Sequence, residues 1–289
     1  VGGPGSVRVD KPVETTHPLA RGMCSWWLGL PNNSGGRTLF DLAGPNNGAL
    51  TNDPTWSTGP GGFPAVSFDG SNDYVNCGSP AGLNGASAAT LSAWVYRSST
   101  GMTVGLGGCG GDTSGGDNRF SFIWWTDGNL YFSAAQSSFS GYGSVALSGT
   151  GWRHVTLVFD GTQTGNANRA KLFVDGVQTT VTFAGSVGST LGSVSPVWLG
   201  ADASNRVTGG AICGASLHLR ALDASEAQAL YVQALRGYPD LLDRHGRTSV
   251  VYFASDTTPP AESTLQLVSL PKTGGPGLVQ TSNPVEKDH

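Results

Sequence analysis

The stretch Ala65–Arg97, AVSFDGSNDYVNCGSPAGLNGASAATLSAWVYR, most narrows what this chain can fold into. It predicts a short strand, Val66-Ser67-Phe68, a tight turn, Asp69-Gly70-Ser71-Asn72, and a second strand, Asp73–Asn76. A Gly/Ala/Ser-rich loop then leads to a third strand, Thr90–Tyr96. In that strand Leu91, Ala93 and Val95 share one face, and Ser92, Trp94 and Tyr96 share the other. Period-two alternation with large apolar residues on both faces predicts a strand covered on both sides, inside a two-sheet sandwich.

The rest of the chain continues this pattern. Strands are predicted at Thr103–Leu106, Phe120–Trp125 and Leu130–Ser133, the last two joined by the turn Thr126-Asp127-Gly128-Asn129, because Asp-Gly accepts positive φ. Gly107–Asn118 reads as a long loop, the kind of segment on a rigid scaffold that carries specificity. A helix is predicted at Leu222–Leu235, capped by Asp223 or Ser225, with Leu230, Tyr231 and Leu235 as its apolar stripe and Gly237 and Pro239 ending it. With 44 Gly and 16 Pro in 289 residues, many short strands and turns are expected rather than long helices.

Four motifs in order carry a resemblance. FDGSNDYV followed by LSAWVY is similar to the first half of a LamG-like (concanavalin A-like) jelly roll. Trp152–Gly161, WRHVTLVFDG, resembles that family's W-H-H-V-A-x-x-x-D-G strand, and Lys171–Gly176, KLFVDG, its L-Y-V-D-G hairpin. Gly209–Tyr231, ending in ALDASEAQALY, resembles its closing strand and short helix. The resemblance spans Ala20 to Leu235 and implies an all-β, two-sheet antiparallel jelly-roll sandwich with one short C-terminal helix. The opening His17–Gly22, HPLARG, and the loop Asp41–Gly48, DLAGPNNG, resemble LamG-like proteins encoded in phage and prophage structural regions. The Asp41–Gly48 loop is expected to be structural, since Asn and Gly adopt left-handed backbone cheaply and Asx side chains bond their own backbone.

Several function classes are disfavoured. A net charge of -4 with 12% charged residues gives no electrostatic reason for a nucleic-acid partner. No apolar run reaches the ~20 residues of a membrane-crossing helix. Cys24, Cys77, Cys109 and Cys213 are too far apart for a CxxC metal pair and read as buried small hydrophobes, with one disulfide left open. The glucanases that share the jelly roll use an E-x-D-x-x-E strand, and glycoside hydrolysis needs two flanking carboxylates. Here the glutamates are Glu14, Glu226, Glu262 and Glu286, none in a predicted jelly-roll strand. Asp69, Asp160 and Asp175 each precede Gly in a turn, and His17, His154, His218, His245 and His289 are scattered. His154 reads as a partly buried strand histidine. Without a G-x-S-x-G elbow, a P-loop or an HExxH pair, the expectation is a protein that is not an enzyme.

Two binding sites remain as candidates. The resemblance implies a Ca²⁺ ion at a sandwich edge, and calcium takes six to eight oxygens. Its candidate ligands are Asp69, Asn72 and Asp73 from one turn and Asp202 and Asn205 from another. A glycan needs exposed aromatic faces. Of Trp26, Trp27, Trp56, Trp124, Trp125 and Trp198, the adjacent pairs Trp26/Trp27 and Trp124/Trp125 must each turn one ring away from the core. These four are the glycan candidates, unless an arm or a second copy covers the outward ring, the alternative the reading favours.

The domain reading is an extended N-terminal arm at 1–19, the jelly roll at 20–236 and a C-terminal extension at 237–289 with one or two added strands. Residues 1–18 and 254–289 have few apolar side chains to offset an ordering cost of about 1–2 kcal/mol per residue. They are expected to pack on other copies or on a capsid protein, anchored by Val7, Val9, Val13, Leu265, Leu267, Val268 and Leu270. No apolar signal-peptide core precedes Gly22, and Val1 reads as a start left by removal of an initiator Met. The functional expectation is a structural protein on the exterior of a virus particle, made in the host cytoplasm and able to bind host-surface glycans. The alternative is a secreted or cell-surface carbohydrate-binding module.

Overall fold

The structure, a computed structural model, describes residues 13–30, 34–109, 119–134, 142–201, 209–238 and 240–242. Among these, seventeen strands occur. In chain order they are β1 (Met23–Trp27), β2 (Thr38–Leu39), β3 (Gly48–Thr51), β4 (Thr55–Thr58), β5 (Pro64–Asp69), β6 (Tyr74–Asn76), β7 (Ala88–Arg97), β8 (Val104–Cys109) and β9 (Arg119–Trp124). They continue with β10 (Asn129–Ala134), β11 (Tyr142–Ala146), β12 (Gly151–Asp160), β13 (Ala170–Val174), β14 (Val177–Gln178), β15 (Thr182–Ala184), β16 (Val197–Leu199) and β17 (Gly209–His218). The α-helices are α1 (Asn166–Arg169) and α2 (Ala224–Leu235), beside short 3-10 turns at Pro18–Ala20 and Pro60–Gly62.

The strands form two antiparallel sheets. One has eight strands, in the order β14-β13-β12-β7-β17-β5-β4, with β1 also paired to β17; the other has nine, in the order β15-β11-β10-β9-β8-β16-β6-β3-β2. The all-β sandwich expected from the alternating pattern is therefore the fold. Its core holds Val66, Phe68, Leu91, Ala93, Val95, Val155, Leu157, Phe159 and Leu172, with Val174 packed at the margin. The hairpin predicted at Thr126–Asn129 forms: Trp125 N donates to Asn129 O, and Gly128 takes φ 84. Strand ends shift by a residue or two, and the predicted Gly107–Asn118 loop starts later, because Gly107, Gly108 and Cys109 belong to β8.

A second apolar layer covers the outer face of the eight-stranded sheet. It contains Trp26, Trp94, Val158, Phe173 and Cys213 from the sheet and Ala227, Leu230 and Ala234 from α2, closed by Leu19, Tyr238 and Leu241. Helix α2 starts at Asp223, whose carboxylate accepts from Glu226 N while Glu226 Oε2 accepts from Asp223 N. The predicted stripe shifts by part of a turn: Leu235 is 51% exposed, and the small residues Ala227 and Ala234 face the sheet with Leu230.

This layer also reaches past the expected jelly-roll bounds of 20–236, since Val13, Leu19, Tyr238 and Leu241 belong to it. Val13 pairs with Leu242, and Glu14 N donates to Leu241 O, so both ends of the described chain lie on their own sandwich. The packing of Val13 on its own chain replaces its expected contact with another copy. The other expected anchors, Val7, Val9, Leu265, Leu267, Val268 and Leu270, lie outside the described residues.

Candidate carbohydrate-binding face

The nine-stranded sheet has Leu50, Val75, Leu106, Phe122, Phe132 and Leu199 on its core face. Alternation sends their neighbours Tyr74, Asn76, Trp198, Gly105, Gly107, Arg119, Ser121, Ile123 and Tyr131 to the other face. There Tyr74 and Trp198 pack against each other, ring centroids 5.1 Å apart and planes at 40°, each half-buried. Register explains the meeting of two residues so distant in sequence: Trp198 pairs with Asn76 and Leu199 with Val75.

Beside the rings the surface drops. Trp198 pairs with Gly107 across β8, Gly107 pairs with Ser121, and Gly105 pairs with Ile123. Gly200 N donates to Gly105 O, which continues the glycine row toward Tyr74. A Cβ on Gly105 would lie 2.5 Å from Phe122 O, and one on Gly107 would lie 2.2 Å from Ser121 Cβ. Close approach of β8 to β9 thus demands glycine at 105 and 107, and one consequence is a trough into which neither position projects a side chain. Gly105, Arg119, Ser121, Ile123 and Ala201 line a small pocket of about 20 Å³ in it. An apolar ring pair beside a trough with a hydroxyl and a guanidinium on its far wall has the makings of a sugar-stacking surface.

The tryptophans singled out by adjacency are placed differently. Trp26 and Trp27 are each 1% exposed and Trp124 is fully buried, so none of these rings can stack on a sugar. Both faces of β1 are covered: Trp27 enters the sandwich core and donates from Nε1 to Asn46 O. Trp26 lies in the second layer against Tyr238, ring centroids 4.8 Å apart. The cover over the outward ring is the chain's own C-terminal segment. Trp124 faces inward, donates from Nε1 to Leu147 O and carries the Arg97 guanidinium 4.4 Å from its ring centroid. Trp125 stays half-buried beyond the end of β9. Adjacency in a strand identifies opposed faces but does not say which face is covered. A better signal was the alternation itself, since Trp198 stands between buried Val197 and Leu199, and Tyr74 precedes buried Val75.

The predicted calcium turn brings Asp69 and Asp73 together. Asp69 N donates to Asp73 Oδ2, and Ser71 N donates to Asp69 Oδ1, which holds that carboxyl below its ordinary range. Asp73 is 4% exposed and its Oδ1 has no partner. Burial raises its pKa, with the Asp69 and Asp53 charges adding to the rise. An orphaned buried carboxylate oxygen suits a cation, but among the described residues no three His, Cys, Asp or Glu side chains converge as a metal set. Asn72 is exposed, and Asp202 and Asn205 lie outside the described residues.

Several other titratable groups are held in structural bonds or simply buried. Asp41 Oδ1 accepts from the backbone N–H of Trp26, Ala43 and Gly44, and Oδ2 from that of Asn46, as the structural reading of its loop expected. Asp175 binds Arg153 Nη1 and His154 N. His154 is fully buried rather than partly so, with Nε2 3.2 Å from Ser92 Oγ, and burial pushes its pKa down to about 3. Cys24, Cys77 and Cys213 are free thiols; burial raises Cys24 and Cys213 to about 12 and Cys77 well above its ordinary value.

Comparison with known proteins gives a consistent picture of the fold. The family model described as the concanavalin A-like lectin/glucanases superfamily matches residues 69–228. A sialidase from Trypanosoma rangeli superposes with a TM-score of 0.52 at 17% identity, covering 74% of this chain and 33% of its own. The binding domain of Paraclostridial Mosquitocidal Protein 1 superposes with a TM-score of 0.52 at 18% identity, covering 74% of this chain and 52% of its own. The chain thus spans about a third of the one and about half of the other. No curated protein matches it.

Proposed function

Because the chain belongs to the concanavalin A-like lectin/glucanases superfamily, we propose that it is a non-catalytic carbohydrate-binding module whose glycan lies on the outer face of the nine-stranded sheet. One observation carries the reading: the mutually packed, half-buried Tyr74 and Trp198 rings beside the uninterrupted Gly105–Gly107 trough. A sugar ring offers a C–H face to an aromatic ring and hydroxyls to Asn76, Ser121 and Arg119 along the walls. The non-catalytic part of the reading is supported by Glu226, which is tied into an ion pair and a helix cap, and by the structural duties of Asp41 and Asp175.

The proposal keeps a calcium ion at the sandwich edge, with Asp69 and Asp73 as the described residues that would hold it. When bound, the ion would neutralise the orphaned Asp73 charge and brace the turn that enters β6. Display on a virus particle is the finer proposal, favoured by the HPLARG opening; secretion or attachment at a cell surface is the alternative. Removing residues 254–289 and measuring sedimentation with bare particles tests it, and undiminished binding by the truncated chain would count against attachment through that segment.

The binding proposal is tested on a glycan array, followed by calorimetry with the retained sugars. Trp198→Ala and Tyr74→Ala should each weaken binding by about tenfold or more while the circular dichroism spectrum is unchanged. Array binding that survives Trp198→Ala intact would remove this face from consideration.

A further inference from the structure

The outer face of the nine-stranded sheet is longer than one sugar. From Tyr131 on β10 paired residues run through Ile123 on β9 to Gly105 on β8, whose carbonyl accepts from Gly200 N just past β16; Tyr74 lies on β6, the next strand beyond β16. Tyr131 is half-buried, and its ring is set by the hairpin: the hydroxyl donates to Asp127 Oδ2 at 2.6 Å. Asp127 also accepts from the backbone and side-chain nitrogens of Asn129, so the acceptor is fixed before any ligand arrives.

Resting on the carbohydrate-binding reading above, we infer that this face takes a linear oligosaccharide running across the strands, and not a single terminal sugar. The chain enters over Tyr74 and Trp198, crosses the glycine trough beside Ile123 and Ser121, and leaves over Tyr131. Neighbouring strands lie about 4.8 Å apart, so Tyr74 and Tyr131 stand four spacings, ~19 Å, apart across the strands, and Trp198 and Tyr131, three spacings across and two residues along, ~16 Å. One pyranose covers one aromatic ring, whose stacking partners sit within about 7 Å. Two platforms at this separation therefore engage together only when a chain of several sugars joins them. Between them neither Gly105 nor Gly107 projects a side chain into the trough, because any Cβ at either position collides with β9. Ile123 gives the middle of the path an apolar wall, and Ser121 and Arg119 give it hydrogen-bond donors. Ordered rings limit the entropic cost of binding, and contacts made by one linked ligand add up in a way that separate monosaccharides cannot reproduce.

The experiment is a length series. After a glycan array has named the sugar, calorimetric titration runs from its monosaccharide to its hexasaccharide. Affinity should rise about tenfold or more between the monosaccharide and the tetrasaccharide, then level off once both platforms are covered. Tyr131→Ala should remove that gain, while Tyr131→Phe keeps it. Trp198→Ala should weaken every length. A monosaccharide that binds as tightly as the tetrasaccharide overturns the inference and leaves the carbohydrate-binding reading standing. A tetrasaccharide affinity unmoved by Tyr131→Ala also overturns it. The wild-type series reports without any variant, so poor folding of Tyr131→Ala does not block the test. An array with no Trp198-dependent binding overturns the function reading itself.

Discussion

Arg220 Nη1 donates to Glu226 Oε2 at 2.7 Å, and both side chains are largely shielded from water. Through Arg220 the segment before β1 is tied to the start of α2. Arg220 Nε also donates to Arg21 O and Nη2 to Pro18 O, while the same Glu226 oxygen closes the capping box of α2. Much of the HPLARG opening is explained by this contact: His17 Nδ1 accepts from Leu19 N, and buried Leu19 offers its carbonyl to His218 Nε2.

Arg220→Ala should therefore cost more than an exposed ion pair would. It leaves Glu226 without its cation and two backbone carbonyls without their donor, a loss of about 2–3 kcal/mol. Urea unfolding measures it. Because Arg220 also serves the carbonyls of Pro18 and Arg21, Glu226→Gln should cost less than Arg220→Ala; equal costs would place all of the effect in the ion pair.

Asp41→Asn should destabilise the fold although it is nearly isosteric. The carboxylate accepts from four backbone N–H groups, and the amide nitrogen would face one of these donors. The expected loss is about 2–4 kcal/mol. A Tm within a degree of wild type would mean that the loop does not depend on this charge.

Stability should fall on mild acidification. Burial pushes His154 down to about 3 and His218 to about 4, both from an ordinary 6.5, with the Leu19 carbonyl opposing the shift at His218. The unfolded chain then takes up protons near pH 6.5 while the folded chain does not. The stabilising contribution is thus full above pH 6.5 and is lost as pH falls toward 4, on the order of 3 kcal/mol per histidine. Urea midpoints across that range should decline, and His154→Gln should flatten the decline. A pH-independent midpoint would contradict the buried, neutral imidazoles.

Calcium should raise the Tm and a chelator should lower it, because an ion held only by the folded state stabilises it, by about 2.7 kcal/mol at a hundredfold excess over Kd. Asp73→Asn should abolish that increment, since it removes the orphaned charge. Melting that ignores both calcium and chelator would leave Asp69 and Asp73 as turn formers alone.

Local pattern determined much of this protein. The alternation of Leu91, Ala93 and Val95 with Ser92, Trp94 and Tyr96, the Asp-Gly turn before β10 and the Asp223 cap of α2 all depend on neighbours a few residues away. Each appears where the residues indicate. Alternation also says that Trp26 and Trp27 point in opposite directions. Only the tertiary structure decided that both directions are covered, because the cover over Trp26 comes from Tyr238, more than two hundred residues downstream. The same holds for the proposed binding face. Tyr74, Trp198 and Tyr131 become one surface through strand register, which the hydrogen-bonded ladders β6–β16–β8–β9–β10 set across long sequence separations. Side-chain period is a property of each strand by itself; which strands lie side by side, and which face stays open to water, follows from how the whole chain buries its apolar surface.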